Sequence, residues 1–254
     1  MKIVACFKAA PEAQDIAIRP DRTLDLERAA WKIGAYDLNA IEAARVLADQ
    51  TGGVAVGLSV GGPALAGSKL RKEALSRGLD ELVVVSDDAL VDLDSFQTAC
   101  VLRDALSQVD GADVVLLGAG SSDVYAQQVG NELGALLGAA TLNGVDAITV
   151  AGDHLVVERP LENAVQVVEV GLPAVLSLTS GINTPRIPGM RDVLAAGKRP
   201  TTELSGLSAP APSTDRTSLL AVEQVERAHR VVDGDTADVV AQLVDYLNSV
   251  GGAR

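Results

Sequence analysis

Four short apolar runs rich in Val and Ile, at residues 2–7, 54–60, 81–85 and 113–118, are separated by stretches with helical periodicity. Such runs lack the in–out alternation of a half-exposed strand, so they read as strands of a parallel sheet covered by helices on both faces. The helices between them carry their own signals. Asp37 or Asn39 caps one with Ile41, Ala44, Val46 and Leu47 on one face, ending at Gly52. Ser68 opens a second that runs to Gly78, and Ser95 caps a third through Ala99, Leu102, Leu106 and Val109. A fourth is expected from near Val124, with Val129, Leu133, Leu136 and Leu137 as its apolar positions.

Beyond about Leu142 the pattern changes. Residues 147–161 read as a hairpin turning at Gly152 and Asp153, and residues 165–179 as two more strands, so the second half is expected to return through antiparallel strands. From Gly181 a loop punctuated by Pro185, Pro188 and Gly189 leads to a short helix over 192–196. Residues 201–218, rich in Ser, Thr and Pro, read as a linker. A last helix over 236–250 bears Val239, Val240, Leu243, Val244 and Leu247 as one stripe, to dock either on its own domain or on a partner chain. The expected organisation is an α/β domain over residues 1–200 followed by a linker and C-terminal arm over 201–254.

Composition narrows what such a fold can do. Of 254 residues 48% are hydrophobic but only 2% aromatic, so the core is aliphatic and each Tyr is conspicuous. A net charge of −13 argues against a nucleic-acid groove and against an anionic membrane surface. Cys6 and Cys100 make no disulfide framework, and with His154 and His229 they show no metal-ligand spacing. No apolar run approaches the roughly 18 residues of a membrane span, and the apolar stretch after Lys2 is too short for a signal-peptide core, so a cytoplasmic protein without membrane insertion is expected.

The stretch VVLLGAGSSDVYAQQVG, residues 114–130, runs from an apolar strand through a small-residue loop into a helix start. Gly118, Gly120, Ser121, Ser122 and Asp123 let main chain approach a phosphate, and the helix presents its positive end. The spacing matches neither a Walker loop nor a GxGxxG fingerprint, and a strand-to-helix turn using Gly for backbone freedom alone fits equally well. In a doubly wound sheet the ligand sits beyond the carboxyl ends of the strands, where the loops at 6–11, 34–37, 60–63 and 118–130 converge. They bring few acids, bases or nucleophiles, and neither Ser121 nor Ser122 has a histidine in triad order, so binding is favoured over catalysis. Asp123 reads either as a helix cap or as a ligand of a ribose or ring nitrogen, Lys8 as a solvated loop cation or a phosphate or partner contact, and Tyr36 as a stacking ring or core filler. Arg186, Arg191, Lys198 and Arg199, around Met190 and interrupted by Asp192, form a basic cluster that either orients an acidic partner or is simply solvated.

Five ordered segments, KIGAYDLNAIEAARVL (32–47), LSVGGPAL (58–65), LSRGLDELVVV (75–85), GSSDVYAQQVG (120–130) and INTPRIPGM (182–190), carry a resemblance. The chain is similar over nearly its whole length to the β subunit of electron-transfer flavoprotein, and most to its Fix-type branch. The resemblance implies a doubly wound, mostly parallel, Rossmann-like sheet in a heterodimer whose larger α subunit holds a redox-active FAD. In the β subunit's own cleft it implies AMP or, as in electron-bifurcating relatives, a second FAD. Carried over by motif, the nucleotide meets Cys6; Gly34, Ala35, Tyr36 and Asp37; Val60 and Gly61; and Ser121, Ser122, Asp123, Val124, Tyr125, Ala126, Gln127, Gln128, Val129 and Gly130. The Gln128, Val129, Gly130 ending is closer to the bifurcating members than to the usual Asn-Gln-Thr-Gly. Tyr36 matches a ring near the α-subunit flavin. The loop around Met190, with Arg186, Arg191, Lys198 and Arg199, matches a recognition loop for an acyl-CoA dehydrogenase-like partner, although Ala195 and Gly197 replace lysines common in relatives. The implied role is a carrier of electrons between such a flavoenzyme and a quinone oxidoreductase or ferredoxin, itself no enzyme. The competing reading is a stand-alone adenine-nucleotide sensor or stress protein of related fold, which would not need the C-terminal arm.

Overall fold

A computed structural model describes residues 1–109, 111–223, 229 and 231–251. The chain divides into two units, Met1–Leu219 and Leu220–Arg254. In the first, ten strands matter for function: β1 (Lys2–Cys6), β2 (Val54–Gly61), β3 (Glu81–Ser86), β4 (Val114–Gly118), β5 (Ala140–Val145), β6 (Ala147–Ala151), β7 (His154–Pro160), β8 (Val165–Gly171), β9 (Ala174–Leu178) and β10 (Thr201–Leu204). Seven make one sheet in the order β10-β3-β2-β1-β4-β9-β5, every neighbouring pair parallel. The chain winds outward from β1 to β3, then returns to place β4 on the other side of β1. That reversal opens a crevice between the carboxyl ends of β1 and β4.

The helices are α1 (Ala35–Thr51), α2 (Ser68–Ser76), α3 (Ser95–Leu106), α4 (Val129–Leu137) and α5 (Met190–Ala196), with α6 (Thr236–Gly251) in the second unit. Ile3 and Ala5 of β1 join Ile41, Leu47, Leu116 and Leu176 in one apolar layer, while Val4 and Cys6 join Leu58, Leu102, Val115 and Leu133 in the other. Both faces of β1 are thus buried, which is why its run shows no alternation. Two short antiparallel pairs, Ala9–Pro11 with Trp31–Ile33 and Ala17–Ile18 with Leu24–Asp25, occupy the excursion between β1 and α1. No helix among the described residues is long and apolar enough to cross a membrane.

Several boundaries differ from expectation for local reasons. The hairpin forms, with Ala151 opposite His154, and β8 extends it to a three-stranded antiparallel sheet, but β9 joins the main sheet in parallel between β4 and β5. Residues 201–219 are held by the first unit: Thr-Thr-Glu-Leu pairs with β3, Gln97 Nε2 donates to the Pro210 carbonyl (2.8 Å), and the Ser213 N–H donates to Asp94 (2.8 Å). A polar segment stays docked where side chains satisfy its main chain, and the compact unit runs to Leu219. Asp94, not Ser95, caps α3, in a capping box with Gln97. Helix α4 starts at Val129 because Tyr125 and Gln127 take positive φ, +52° and +58°, which no right-handed helix accommodates.

Candidate functional site

The crevice is built from main chain more than from side chains. Cys6 ends β1, and the next residue is stitched to β2: the Phe7 N–H donates to the Leu58 carbonyl (3.0 Å) and Ser59 Oγ donates to the Phe7 carbonyl (2.6 Å). Gly34 is the N-cap of α1, and Ala35, Tyr36 and Asp37 form its first turn at the same edge. Asp37 does not cap its own helix. Its Oδ2 accepts from the Lys8 N–H (2.8 Å) and its Oδ1 from the Gly118 N–H (3.2 Å), so one carboxyl ties the exit of β1 to that of β4. The approach is so close that a Cβ at Gly118 would lie 2.4 Å from Asp37 Oδ1 and 2.8 Å from the Tyr36 main chain.

Burial dominates the electrostatics here. It pushes the Asp37 carboxyl up to about 7 against the opposing pull of its two amide donors. Burial first, and the Asp37 charge second, also push the Cys6 thiol up, so Cys6 stays protonated and is no nucleophile.

Beyond β4 the chain runs as an open loop to residue 128. Ser121 Oγ accepts from the N–H groups of Val124 (3.4 Å) and Tyr125 (3.3 Å), while Asp123 Oδ1 accepts from the Val124 N–H (2.8 Å). Lys8 Nζ reaches Asp123 Oδ2 at 2.6 Å, a second tie from β1 to this loop. Burial acts to raise the Asp123 carboxyl, but Lys8 and Ser121 outweigh it and hold it below the usual range. Tyr36 and Tyr125 meet with hydroxyls 3.3 Å apart and ring centroids 6.0 Å apart. Gly120 makes room, since a Cβ there would lie 2.6 Å from the Tyr125 ring. Ser122 through Gln128 are exposed. Ser95 Oγ donates to Gln128 Oε1 (2.8 Å), fixing the N-cap of α4 to α3. Val129 and Gly130 open α4, with Gly130 against Ser177 of β9, and the first-turn amides of that helix have no acceptor within it.

Of the residues expected around a nucleotide, Gly34 to Asp37 and the loop from Ser121 to Gln128 are brought together by the Asp37 and Lys8 contacts, whereas Cys6 and Gly130 are buried, Cys6 in the core and Gly130 against Ser177. Val60 and Gly61 lie one strand away on the same edge, where the Gly61 carbonyl accepts from the Asp87 N–H (3.1 Å). The amides of Lys8, Gly118, Ala119, Val124 and Tyr125 are taken by protein acceptors, which leaves the small residues of the loop and the first-turn amides of α4 as groups of the kind that meet an anion. Among the described residues, Asp37 of the cleft hydrogen-bonds main chain and Asp123 pairs with Lys8, and no group of His, Cys, Asp and Glu is placed to hold a metal ion.

A second surface lies around α5. Ile187, Met190 and Leu194 are 92%, 79% and 69% exposed. The segment before them is pinned to α1: Arg186 grips Glu42 through Nε (2.7 Å), Nη2 (2.9 Å) and its own N–H (3.0 Å), and Asn39 and Asn183 exchange hydrogen bonds of 2.8–3.0 Å. Arg77 Nη1 adds a bond to the Arg186 carbonyl (3.0 Å). Arg199 turns inward to the carbonyls of Leu75 (2.7 Å) and Leu79. The expected basic cluster is thus divided. Arg186 and Arg199 are committed to the fold, and Arg191 and Lys198 remain exposed. Asn39, a candidate cap by sequence, instead bonds Asn183, and Glu42 carried no motif in the sequence beyond lying one turn from Asn39 among the alanines of an apolar helix face.

Residues 22–208, most of the chain, match the family model described as the electron transfer flavoprotein domain.

Proposed function

The chain belongs to the electron transfer flavoprotein family, and from that premise we propose that it is the β subunit of a Fix-type heterodimer acting in the cytoplasm. Its partner in this reading is an α subunit that holds the FAD. The complex takes electrons from, or gives them to, an acyl-CoA dehydrogenase-like flavoenzyme, with a quinone oxidoreductase or ferredoxin at the other end. The observation that carries the reading is the crevice between β1 and β4, where the small-residue loop leads to the free first-turn amides of α4. AMP or a second FAD is the ligand proposed for it, and with a second FAD bifurcation becomes available. A flavin, when bound, supplies the electron-carrying ring.

This chain's residues then do three things. The small residues around Gly120 and the free first-turn amides of α4 receive the phosphates. Tyr36 and Tyr125 offer aromatic faces to a planar ring. Ile187, Met190 and Leu194 offer a compact apolar contact with Arg191 and Lys198 at its rim, the composition of a protein-docking hot spot.

The test is the nucleotide content of the complex co-expressed with its α subunit, after denaturing release and chromatography against FAD and AMP. One FAD with one AMP supports a single-flavin carrier, and two FAD support bifurcation. A complex without flavin, or a stable lone chain that binds ATP and ignores any α subunit, overturns the reading in favour of a nucleotide sensor.

A further inference from the structure

Two carboxyls are buried in the first unit among the described residues, Asp37 at 8% exposure and Glu42 at 9%. Glu42 is matched by the Arg186 guanidinium. Asp37 makes no ion pair: its only hydrogen bonds come from two main-chain amides, at the ends of β1 and β4. Those strand ends form the mouth of the crevice, so anything that enters does so against this carboxyl. The ionisable groups that face it are few. Strand β1 contributes Cys6 and, at its exit, Lys8; the loop after β4 contributes Asp123; β4 itself presents only the Gly118 main chain. On its own helix, Tyr36 turns its hydroxyl to Tyr125 and Glu42 is engaged by Arg186.

We propose that Asp37 couples occupancy of the crevice to a proton: a phosphate group seated at the ends of β1 and β4 drives the carboxylate to take one proton from solvent, and ligand release returns it. The inference rests on the nucleotide-binding reading above. No bond other than the new O–H forms, and the proton goes to Oδ1, which accepts the longer of the two amide contacts. Three features act in the same direction. Burial already disfavours the ionised form. An anion placed beside it adds like-charge repulsion. Among the described residues, the cation that favours ionisation is Lys8, and its ammonium, now on Asp123, lies where a phosphate would compete for it.

The experiment is calorimetric titration of the full-length chain with FAD near neutral pH, in two buffers of low and high ionisation enthalpy. FAD is the probe because its pyrophosphate does not titrate in this range. The expected result is uptake of about half a proton per FAD bound, with log affinity falling as pH rises at that same slope. Asp37→Asn abolishes the buffer dependence. Should that variant fail to fold, an infrared difference spectrum of the wild-type chain with and without FAD reads the same event as a new protonated-carboxyl band. Equal enthalpies in both buffers, or uptake that persists in Asp37→Asn, overturn the inference while leaving nucleotide binding intact. Failure of the chain to bind either FAD or AMP overturns the nucleotide reading and this inference with it.

Discussion

Five residues apart on one helix, Asp37 and Glu42 serve opposite ends of the same design. Asp37, in the first turn of α1, holds two main-chain amides and leaves the loop after β4 exposed from Ser122 to Gln128. Glu42, one turn on, grips a guanidinium three ways and fixes the segment that leads to Met190. The contrast follows from what each region must meet. In the proposed reading the cleft binds a nucleotide, and Asp37 fixes the strand ends around it while the first-turn amides of α4 stay available as donors. For the docking role proposed for the Met190 segment, a rigid apolar contact helps, because ordering a loose segment on association costs affinity.

Gly118→Ala should break the cleft side most severely. The new methyl group meets Asp37 Oδ1 and the Tyr36 main chain, and the expected loss is about 3 kcal/mol of stability, read by urea unfolding, together with loss of bound nucleotide. The two carboxyls should next part company with pH. Asp37 is raised in the folded state, so between about 3.8 and about 7 the native chain holds more protons than the unfolded one, and its contribution falls as pH rises through that window. The slope is at most about 1.4 kcal/mol per pH unit. Glu42, where burial acts to raise the carboxyl but Arg186 outweighs it, is lowered, so its contribution is present above about 4.5 and is lost as pH falls. Denaturation midpoints measured across pH should lose the neutral-side slope in Asp37→Asn and the acid-side slope in Glu42→Gln.

On the latch side, Glu42→Ala leaves a half-exposed guanidinium unpaired and should cost about 1–2 kcal/mol. Protease cleavage within residues 182–199 should rise while the nucleotide content of the complex stays unchanged; a parallel loss of nucleotide would show that cleft and latch are not separate. The smallest effect on stability is expected for Met190→Ala, within about 0.5 kcal/mol because the side chain is exposed. Its effect should appear instead as weaker association with a dehydrogenase partner, measured as a raised KM with kcat unchanged.

The parallel sheet was legible because its central strands are buried on both faces and therefore read as unbroken Val and Ile runs. The hairpin was legible from Gly152 and Asp153, and Gly152 takes φ +71° at the turn. What escaped the sequence depends on long-range pairing. Strand β9 resembles its antiparallel neighbour β8 in composition, and only the insertion of Ala174 to Leu178 between β4 and β5 decides its direction. Strand β10 is four ordinary residues that find a free edge. In the crevice, Gly118, Asp37 and the small-residue loop were visible as residue types, but the bond from Asp37 to Gly118 spans 81 positions and carries no local signature. The same holds for Arg186, whose charge suggested a solvent-facing role until Glu42 was placed beside it.

Strands β9 and β10 stand at positions six and one of the seven-stranded sheet. The chain between them must cross β4, β1, β2 and β3, about 24 Å at the usual strand spacing. Its anchors to Asn39, Glu42 and Arg77 show that it makes this crossing as a tether over α1 and α2. Pulling on the Met190 segment would therefore load both flanks of the sheet at once, and a cut in the tether would free an edge strand while leaving the crevice at the centre intact.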